Sequence, residues 1–283
     1  VLSRVSGIWF FVARLAVILL LSGFCSLAWT EQLVTVVFQD SYPKYYLEET
    51  PEGPRMTGLG VDILRLLEQE LGDVRFEGRP GFVPIKRIYR GLESGEFDLY
   101  LGAGKTLERE QRVVFSRSPL YRLKFMVACR RDFPIDLEAI QVPKDLAEQG
   151  ELVALFGTAS ERRLARKLGL APRESSHTLA RNLRLVAFGR ADFAYYHDLG
   201  LVNTINREGL SERLQLLPLV FEESHHYVAF SPNLAPELRE RIDEAVKRLY
   251  EEGAFRRLLK AYLRPEMMSE IMPEEPLRFL EGS

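Results

Sequence analysis

The chain has 283 residues, with 38 lysines and arginines against 40 aspartates and glutamates and a formal net charge of −2. That balance speaks against nucleic acid as a partner, since such binders concentrate positive charge. Only one of the two cysteines, Cys129, lies beyond the first 28 residues, which excludes an intrachain disulfide in the remainder of the chain.

Residues 1–28 read as a cleavable secretory signal, which places the protein in the periplasm. Arg4 and Arg14 precede an apolar run over residues 15–21, and Ser26-Leu27-Ala28 supplies small residues at the cleavage positions. The uninterrupted apolar stretch is well short of the ~20 residues that span a bilayer. Phe24 before Cys25 speaks against lipid attachment. About 250 residues remain, enough for one large α/β domain or two lobes of ordinary size.

Apolar runs then alternate with helical patterns, the mark of α/β architecture. Residues 34–38 form the first strand. A helix follows over 61–71, with Val61, Leu64, Leu67 and Leu71 at helical spacing and Gly72 at its end. Residues 84–94 repeat the plan and stop at Gly95. Next come a short buried strand, Leu99-Tyr100-Leu101, and a small-residue loop, Gly102-Ala103-Gly104, that lets backbone approach a ligand. Thr106 can cap exposed amides, and Arg109 carries a planar fork of donors suited to a carboxylate. An ordinary surface arginine in a loop is the alternative. Residues 125–129 are an apolar strand that buries Cys129. Leu155-Phe-Gly157-Thr158-Ala159-Ser160 reads as strand, glycine and helix start, whose free amides would bind an anion. Helices are expected over 158–168, 178–188, 236–252 and 254–263.

One unit occurs twice. Leu92-Glu-Ser-Gly95-Glu-Phe-Asp98 and Val186-Ala-Phe-Gly189-Arg-Ala-Asp192 each join a helix end to an apolar strand through a glycine and an aspartate. Their wide separation suggests two lobes of similar construction. Open parallel sheets bind ligands at the carboxyl ends of their strands, so two facing lobes make a cleft.

Other motifs carry less. Gly102 to Thr106 ends like a phosphate-binding loop, but Leu99 stands where that motif needs glycine. Lys105 then reads as a solvated charge, with a contact at the cleft rim as the alternative. The four histidines, His177, His197, His225 and His226, have no metal-site spacing, and no metal or other cofactor is expected. His225 and His226 would point to opposite faces of an extended strand. No nucleophile motif occurs, and Glu161-Arg-Arg163 reads as a solvated helix face.

Taken in order, these segments resemble the family 3 extracellular solute-binding proteins, the type II periplasmic binding proteins of amino-acid ABC importers. Gly58-Leu-Gly60-Val-Asp62 is similar to the family's lead-in to its first helix, and residues 92–98 to its Leu-x-x-Gly-x-x-Asp. Thr106-Leu-Glu-Arg109, Val113-Val-Phe115-Ser116 and Pro119-Leu-Tyr121 match its strongest motif. Gly157-Thr158, Gly189 to Asp192 and Tyr227 to Ser231 occur in the same order.

The resemblance implies a type II periplasmic-binding-protein fold, two open-sheet α/β lobes joined by a two-crossing hinge. Residues 29–122 with 226–283 would form lobe 1 and 125–221 lobe 2, with the hinge near 122–125 and 222–226. Arg109 would clamp a ligand carboxylate, supported by the loop Gly102, Gly104 and Thr106, with Thr158, Ala159 and Ser160 binding it from lobe 2. Tyr42 would line the cleft. Where the family holds a ligand ammonium with an acid this chain has His197, with Asp198 one later, so either Asp198 serves or the ammonium site is altered. Near Ile85 the family has a stacking aromatic, for which Phe82 is the substitute. The implied protein is a monomeric, non-enzymatic receptor for a small carboxylate-bearing, amino-acid-like solute, with an ABC permease as partner. The alternatives are a cyclohexadienyl dehydratase-like enzyme using Glu222, Glu223 or His225, and a receptor for a separate sensor.

Overall fold

Apolar residues at helical spacing and apolar runs that alternate face divide the chain into elements. In the computed structural model these elements are described over residues 31–280, apart from 157, 170–175, 177, 264–265, 268–269 and 273–275. The expected leader, Gly157 and His177 lie outside the described residues. The order begins with β1 (Gln32–Thr35), the hairpin β2 (Tyr46–Thr50) and β3 (Gly53–Thr57), and α1 (Leu59–Leu71). It continues with β4 (Val74–Glu77), α2 (Ile85–Ser94), β5 (Leu99–Gly104), the short α3 (Leu107–Glu110) and β6 (Val114–Phe115). Then come β7 (Tyr121–Arg130), α4 (Pro143–Gln149), β8 (Leu152–Ala154), α5 (Ala159–Leu168) and α6 (Leu179–Ala187). After β9 (Phe193–His197), α7 (Asp198–Arg207), β10 (Leu214–Leu216) and β11 (Leu219–Val220), the long β12 (Glu222–Phe230) returns to α8 (Pro236–Glu251) and α9 (Ala254–Tyr262), and β13 (Arg278–Phe279) comes last. Among the described residues, no helix is long and apolar enough to cross a membrane.

From Leu33 onward the chain forms one unit with separate cores. One core gathers Leu59, Ile63 and Leu67 of α1, Ile88 and Leu92 of α2, Leu99 and Leu101 of β5, and Val228 and Phe230 of β12, closed by Ile242, Val246 and Phe255. The buried stripe of α1 is thus set by Leu59, Ile63, Leu64 and Leu67, with Val61 and Leu71 flanking it. The other half has a core on each sheet face. Phe125, Val127 and Cys129 of β7, with Phe193 and Tyr195 of β9, pack on one side. Met126 and Ala128, with Ala194 and Tyr196, pack on the other. This period of two is what a strand buried on both faces requires.

The strand order β5-β12-β7-β9-β8, with β10 on β7 and β6 on β12, makes one seven-stranded sheet that spans both halves. Its seam is the antiparallel pairing of β7 with β12, where Glu222 faces Phe125, Ser224 faces Leu123 and His226 faces Tyr121. The two segments expected at the crossings are therefore each other's hydrogen-bonded partners.

The chain's last stretch departs from the expected lobe boundary. Ile271 and Leu280 are buried in the cores of the 125–221 half. β13 pairs in parallel with β11, and Leu216 N–H donates to the Ile271 carbonyl at 2.8 Å. The reason is apolar: without this segment the open edge at β11 and the side chains of Leu216 and Leu219 would face water. The first strand is also shorter than expected. β1 ends at Thr35, and Val36, whose N–H donates to the Glu77 carbonyl at 2.7 Å, makes an isolated parallel bridge to Leu99.

The repeated glycine–aspartate unit has one structural meaning in both copies. Asp98 N–H donates to the Thr35 carbonyl at 3.0 Å, and its carboxylate accepts Thr35 N–H at 2.8 Å. Asp192 brackets Glu151 in the same way, at 2.9 Å and 2.8 Å. In each copy the next residue, Leu99 or Phe193, meets a parallel neighbour, Val36 or Leu152. The aspartate pins the start of a parallel pairing. Asp192→Ala should cost about 1–2 kcal/mol by leaving an amide without its acceptor. Asp192→Asn keeps an acceptor and should lose less than half of that, as read by urea denaturation.

Candidate functional site

The carboxyl ends of β5 and β9 meet the middle of β12 around a cavity of about 70 Å³. Arg109 reaches it from α3, which Thr106 caps by accepting Arg109 N–H at 3.3 Å. The guanidinium donates to the Gly104 carbonyl at 2.8 Å and lies 4.3 Å from the centre of the Tyr89 ring. It is 8 % exposed. No carboxylate among the described residues pairs with it.

Lys44 is the residue that sequence reasoning missed. Leu59 and Gly60, at the start of α1, donate their N–H groups to the Pro43 and Lys44 carbonyls at 3.1 and 2.9 Å. Tyr45 lies so close over Gly60 that a β-carbon there would fall 2.3 Å from its ring. Held in this way, Lys44 turns inward, 6 % exposed, and its ammonium donates to Tyr100 Oη at 2.8 Å and to the Gly102 carbonyl at 3.4 Å. Gly102 has φ +77°, and a β-carbon on it would meet Lys44 Cδ at 2.7 Å and Tyr121 Oη at 2.8 Å. Both the backbone conformation and the space require glycine. Burial, and then the charge of Arg109, lower Lys44 to about 7.

His197 ends β9 and caps α7, a helix that the sequence pattern does not announce; its Nδ1 accepts Gly200 N–H at 3.0 Å. A neutral ring with Nδ1 so engaged carries its proton on Nε2 and is a donor there. Burial and then Lys44 push His197 down to about 3. His226 stands 6.1 Å from it, ring to ring. Burial first, then Lys44, hold His226 well below the ordinary histidine value. His226 Nδ1 and Tyr89 Oη are two of only three buried side-chain polar atoms without a partner among the described residues, and both residues line the cavity.

From the other half, Thr158 lines the cavity as the cap of α5, accepting Glu161 N–H at 3.1 Å. Ala159 and Ser160 come next as the first two residues of that helix. One turn on, Arg163 lines the cavity and does not lie on a solvated face as its charge run suggests. It bonds Glu222 at 2.8 Å, and Tyr195 donates to the same carboxylate at 3.2 Å. Only the fold, which sets β12 beside α5, brings that acid within reach.

Tyr42, Gly102, Gly104, Arg109, Thr158 and His197 thus surround one space. Thr106, Asp198 and Phe82 do not, and the side chains of Ala159 and Ser160 lie outside the described residues. Thr106 acts behind Arg109. Asp198 turns its carboxylate to Leu199 N–H at 2.8 Å, near Lys124, and burial raises it to about 6; a helix starting at residue 198 sends it away from the cavity. Phe82 is 37 % exposed and lines a neighbouring hollow with Ile85 and Phe156, because Val83 N–H ties the loop to the Phe38 carbonyl at 2.8 Å. Lys105 is not simply solvated, lying 4.0 Å from the centre of the Tyr227 ring.

Paired crossing strands, two sets of cores and a polar cavity at strand carboxyl ends define a type II periplasmic-binding-protein fold. The chain belongs to the bacterial extracellular solute-binding proteins, family 3, whose profile matches residues 34–265. No curated protein sequence matches it. Among solved structures it is similar to the amino acid ABC transporter substrate-binding protein AbpA from Streptococcus pneumoniae bound to L-arginine, at 22 % identity over 85 % of this chain and 96 % of that one, TM-score 0.66. A histidine kinase sensor domain with similarity to periplasmic binding proteins matches at 21 % over 83 % and 96 %, TM-score 0.67. The ancestral amino acid-binding protein AncCDT-1, a precursor of cyclohexadienyl dehydratase, matches at 21 % over 82 % and 96 %, TM-score 0.65. At such identities the likeness carries the fold alone. Family membership makes the chain an extracellular or periplasmic receptor for a small molecule.

Replacing Glu222 by alanine strands Arg163 in the cavity wall and should cost about 2–4 kcal/mol. Exchanging both, Arg163→Met with Glu222→Leu, should recover part of the loss, because the buried Tyr195 hydroxyl still lacks its acceptor. Urea denaturation of the three proteins checks this.

Proposed function

We propose that this protein captures a small carboxylate-bearing solute in the periplasm and delivers it to the membrane permease of an ABC importer. The observation that carries the reading is Arg109: buried, without a carboxylate partner among the described residues, and facing a cavity whose opposite wall includes the cap of α5. A planar fork of donors so placed suits a carboxylate. The backbone at Thr158, Ala159 and Ser160 would meet the same group from the second lobe.

Capture works by closure. The cavity is lined from both halves, by Arg109 and Tyr89 on one side and by Thr158 and Arg163 on the other, so parting the lobes would open it to a guest and closing them would enclose one. Motion about the residues 122–125 and 222–226 would do this with the pairing of β7 and β12 intact. A guest that contacts both lobes then favours the closed form by its extra contacts there. Delivery to a separate sensor would use the same capture step, and the likeness to a histidine kinase sensor domain favours it as the second reading.

Binding without turnover is the further part of the proposal. A dehydratase-like reaction needs an acid over the guest. Glu222 is held by Arg163 and Tyr195, Glu223 pairs with Arg122, and neither they nor His225 line the cavity.

A thermal-shift panel of amino acids, amines and small carboxylates should yield a stabilising carboxylate. For that compound Arg109→Ala should weaken calorimetric affinity by about 2–5 kcal/mol; unchanged affinity would sink the site. Incubation with prephenate or arogenate should give no product, and product formation would favour the enzyme.

A further inference from the structure

Resting on that capture site, the geometry points to a more specific guest. We infer that it is a short aliphatic dicarboxylate without an ammonium group, one carboxylate on Arg109 and the other on Lys44.

Of the described residues that line the cavity, Lys44, Arg109 and Arg163 are cationic and none is acidic. Arg163 is matched by Glu222. Lys44 and Arg109 meet no carboxylate among the described residues. Buried charges are normally paired, so two negative groups are wanted from outside. A guest with one carboxylate leaves one cation unmatched. An α-amino acid brings an ammonium to a wall of Lys44, His197 and His226 that offers it no acid, since Asp198 faces Lys124 instead.

The spacing fits a short chain. Arg109 is anchored to the Gly104 carbonyl and Lys44 to the Gly102 carbonyl, two residues apart on β5 and therefore at most about 7 Å along the strand. Two polar atoms without partners among the described residues, Tyr89 Oη and His226 Nδ1, belong to residues that line the same cavity. Tyr89 lies under Arg109, and His226 lies between Gly104 and Tyr121 in the sheet register. His197 can donate from Nε2 without carrying charge.

Lys44 also ties affinity to pH. The groups facing it are Tyr45 from its own loop, Tyr100 of β5, Tyr121 of β7, Arg109 of α3, His197 at the start of α7 and His226 of β12. None is acidic. A carboxylate delivered to this ammonium raises its pKa from about 7, so binding takes up a proton above that pH. Affinity should be flat between about pH 6 and 7 and should then fall about tenfold per pH unit.

Calorimetry of the protein with succinate, glutarate and 2-oxoglutarate, against butyrate, L-glutamate and L-glutamine, tests the inference. The best dicarboxylate should bind about thirtyfold or more tightly than butyrate and than L-glutamate. Lys44→Met, checked for folding by its melting curve, should erase both the advantage of the dicarboxylate over butyrate and the pH dependence. Tighter binding of L-glutamine or L-glutamate than of succinate, glutarate and 2-oxoglutarate, lost in Arg109→Ala, would overturn the inference while leaving the capture site standing. Dicarboxylate affinity unchanged in Lys44→Met would also overturn it. Binding of no compound, or binding indifferent to Arg109→Ala, would take down both readings.

Discussion

The ladder between β7 and β12 is the constraint on which the rest of the structure depends. Because Glu222 to His226 pair with Phe125 to Tyr121 in strict antiparallel register, the two crossings form one ribbon, and the sheets on either side become one sheet. The ladder sets the site as well as the shape. His226 sits in register with both Gly104 and Tyr121, so a single residue joins the carboxyl end of β5 to the crossing. Phe125, paired with His197, joins the same crossing to the carboxyl end of β9. The cavity lies where these strand ends converge, as open α/β sheets dispose their sites.

What can be read from the sequence depends on which interactions are local. The helices expected from spacing appear within a residue or two, because an amphipathic stripe and a glycine stop are properties of neighbours in the chain. The repeated glycine–aspartate unit is legible for the same reason, although its meaning, a carboxylate bracketing the neighbouring strand, needs the fold. Arg109 and Thr158 can be marked because a cap and a small-residue loop announce them. Lys44 cannot. It sits between tyrosines in Tyr42-Pro43-Lys44-Tyr45, a context that reads as surface, and only the amides of α1 from beneath and Tyr100 from β5 make it a buried group. The charge run around Arg163 misleads because its partner lies 59 positions away. Asp198 suggests itself for the cleft only while α7 goes unseen; once a helix begins there, its carboxylate belongs to that helix's first amides. The segment around Ile271 and Leu280 falls to the wrong half because a short apolar stretch carries no signal of which edge it will cover.

Electrostatics explains why a wall with so many basic groups is tolerable. Two charges 6.1 Å apart, the separation of the His197 and His226 rings, would repel by about 3 kcal/mol at an effective dielectric of ~20, before either felt Lys44 or Arg109. Burial and those neighbours keep both rings neutral, so they can serve as hydrogen-bonding groups without adding charge. The positive character of the space then rests on Arg109 and on Lys44, whose charge is balanced near neutrality. A group so poised is costly to keep protonated alone and favourable to protonate beside an anion. The wall therefore discriminates by charge count as much as by shape. A positively charged end on the guest meets two donors and no acceptor of opposite sign, and a second negative end supplies what the folded chain itself leaves out.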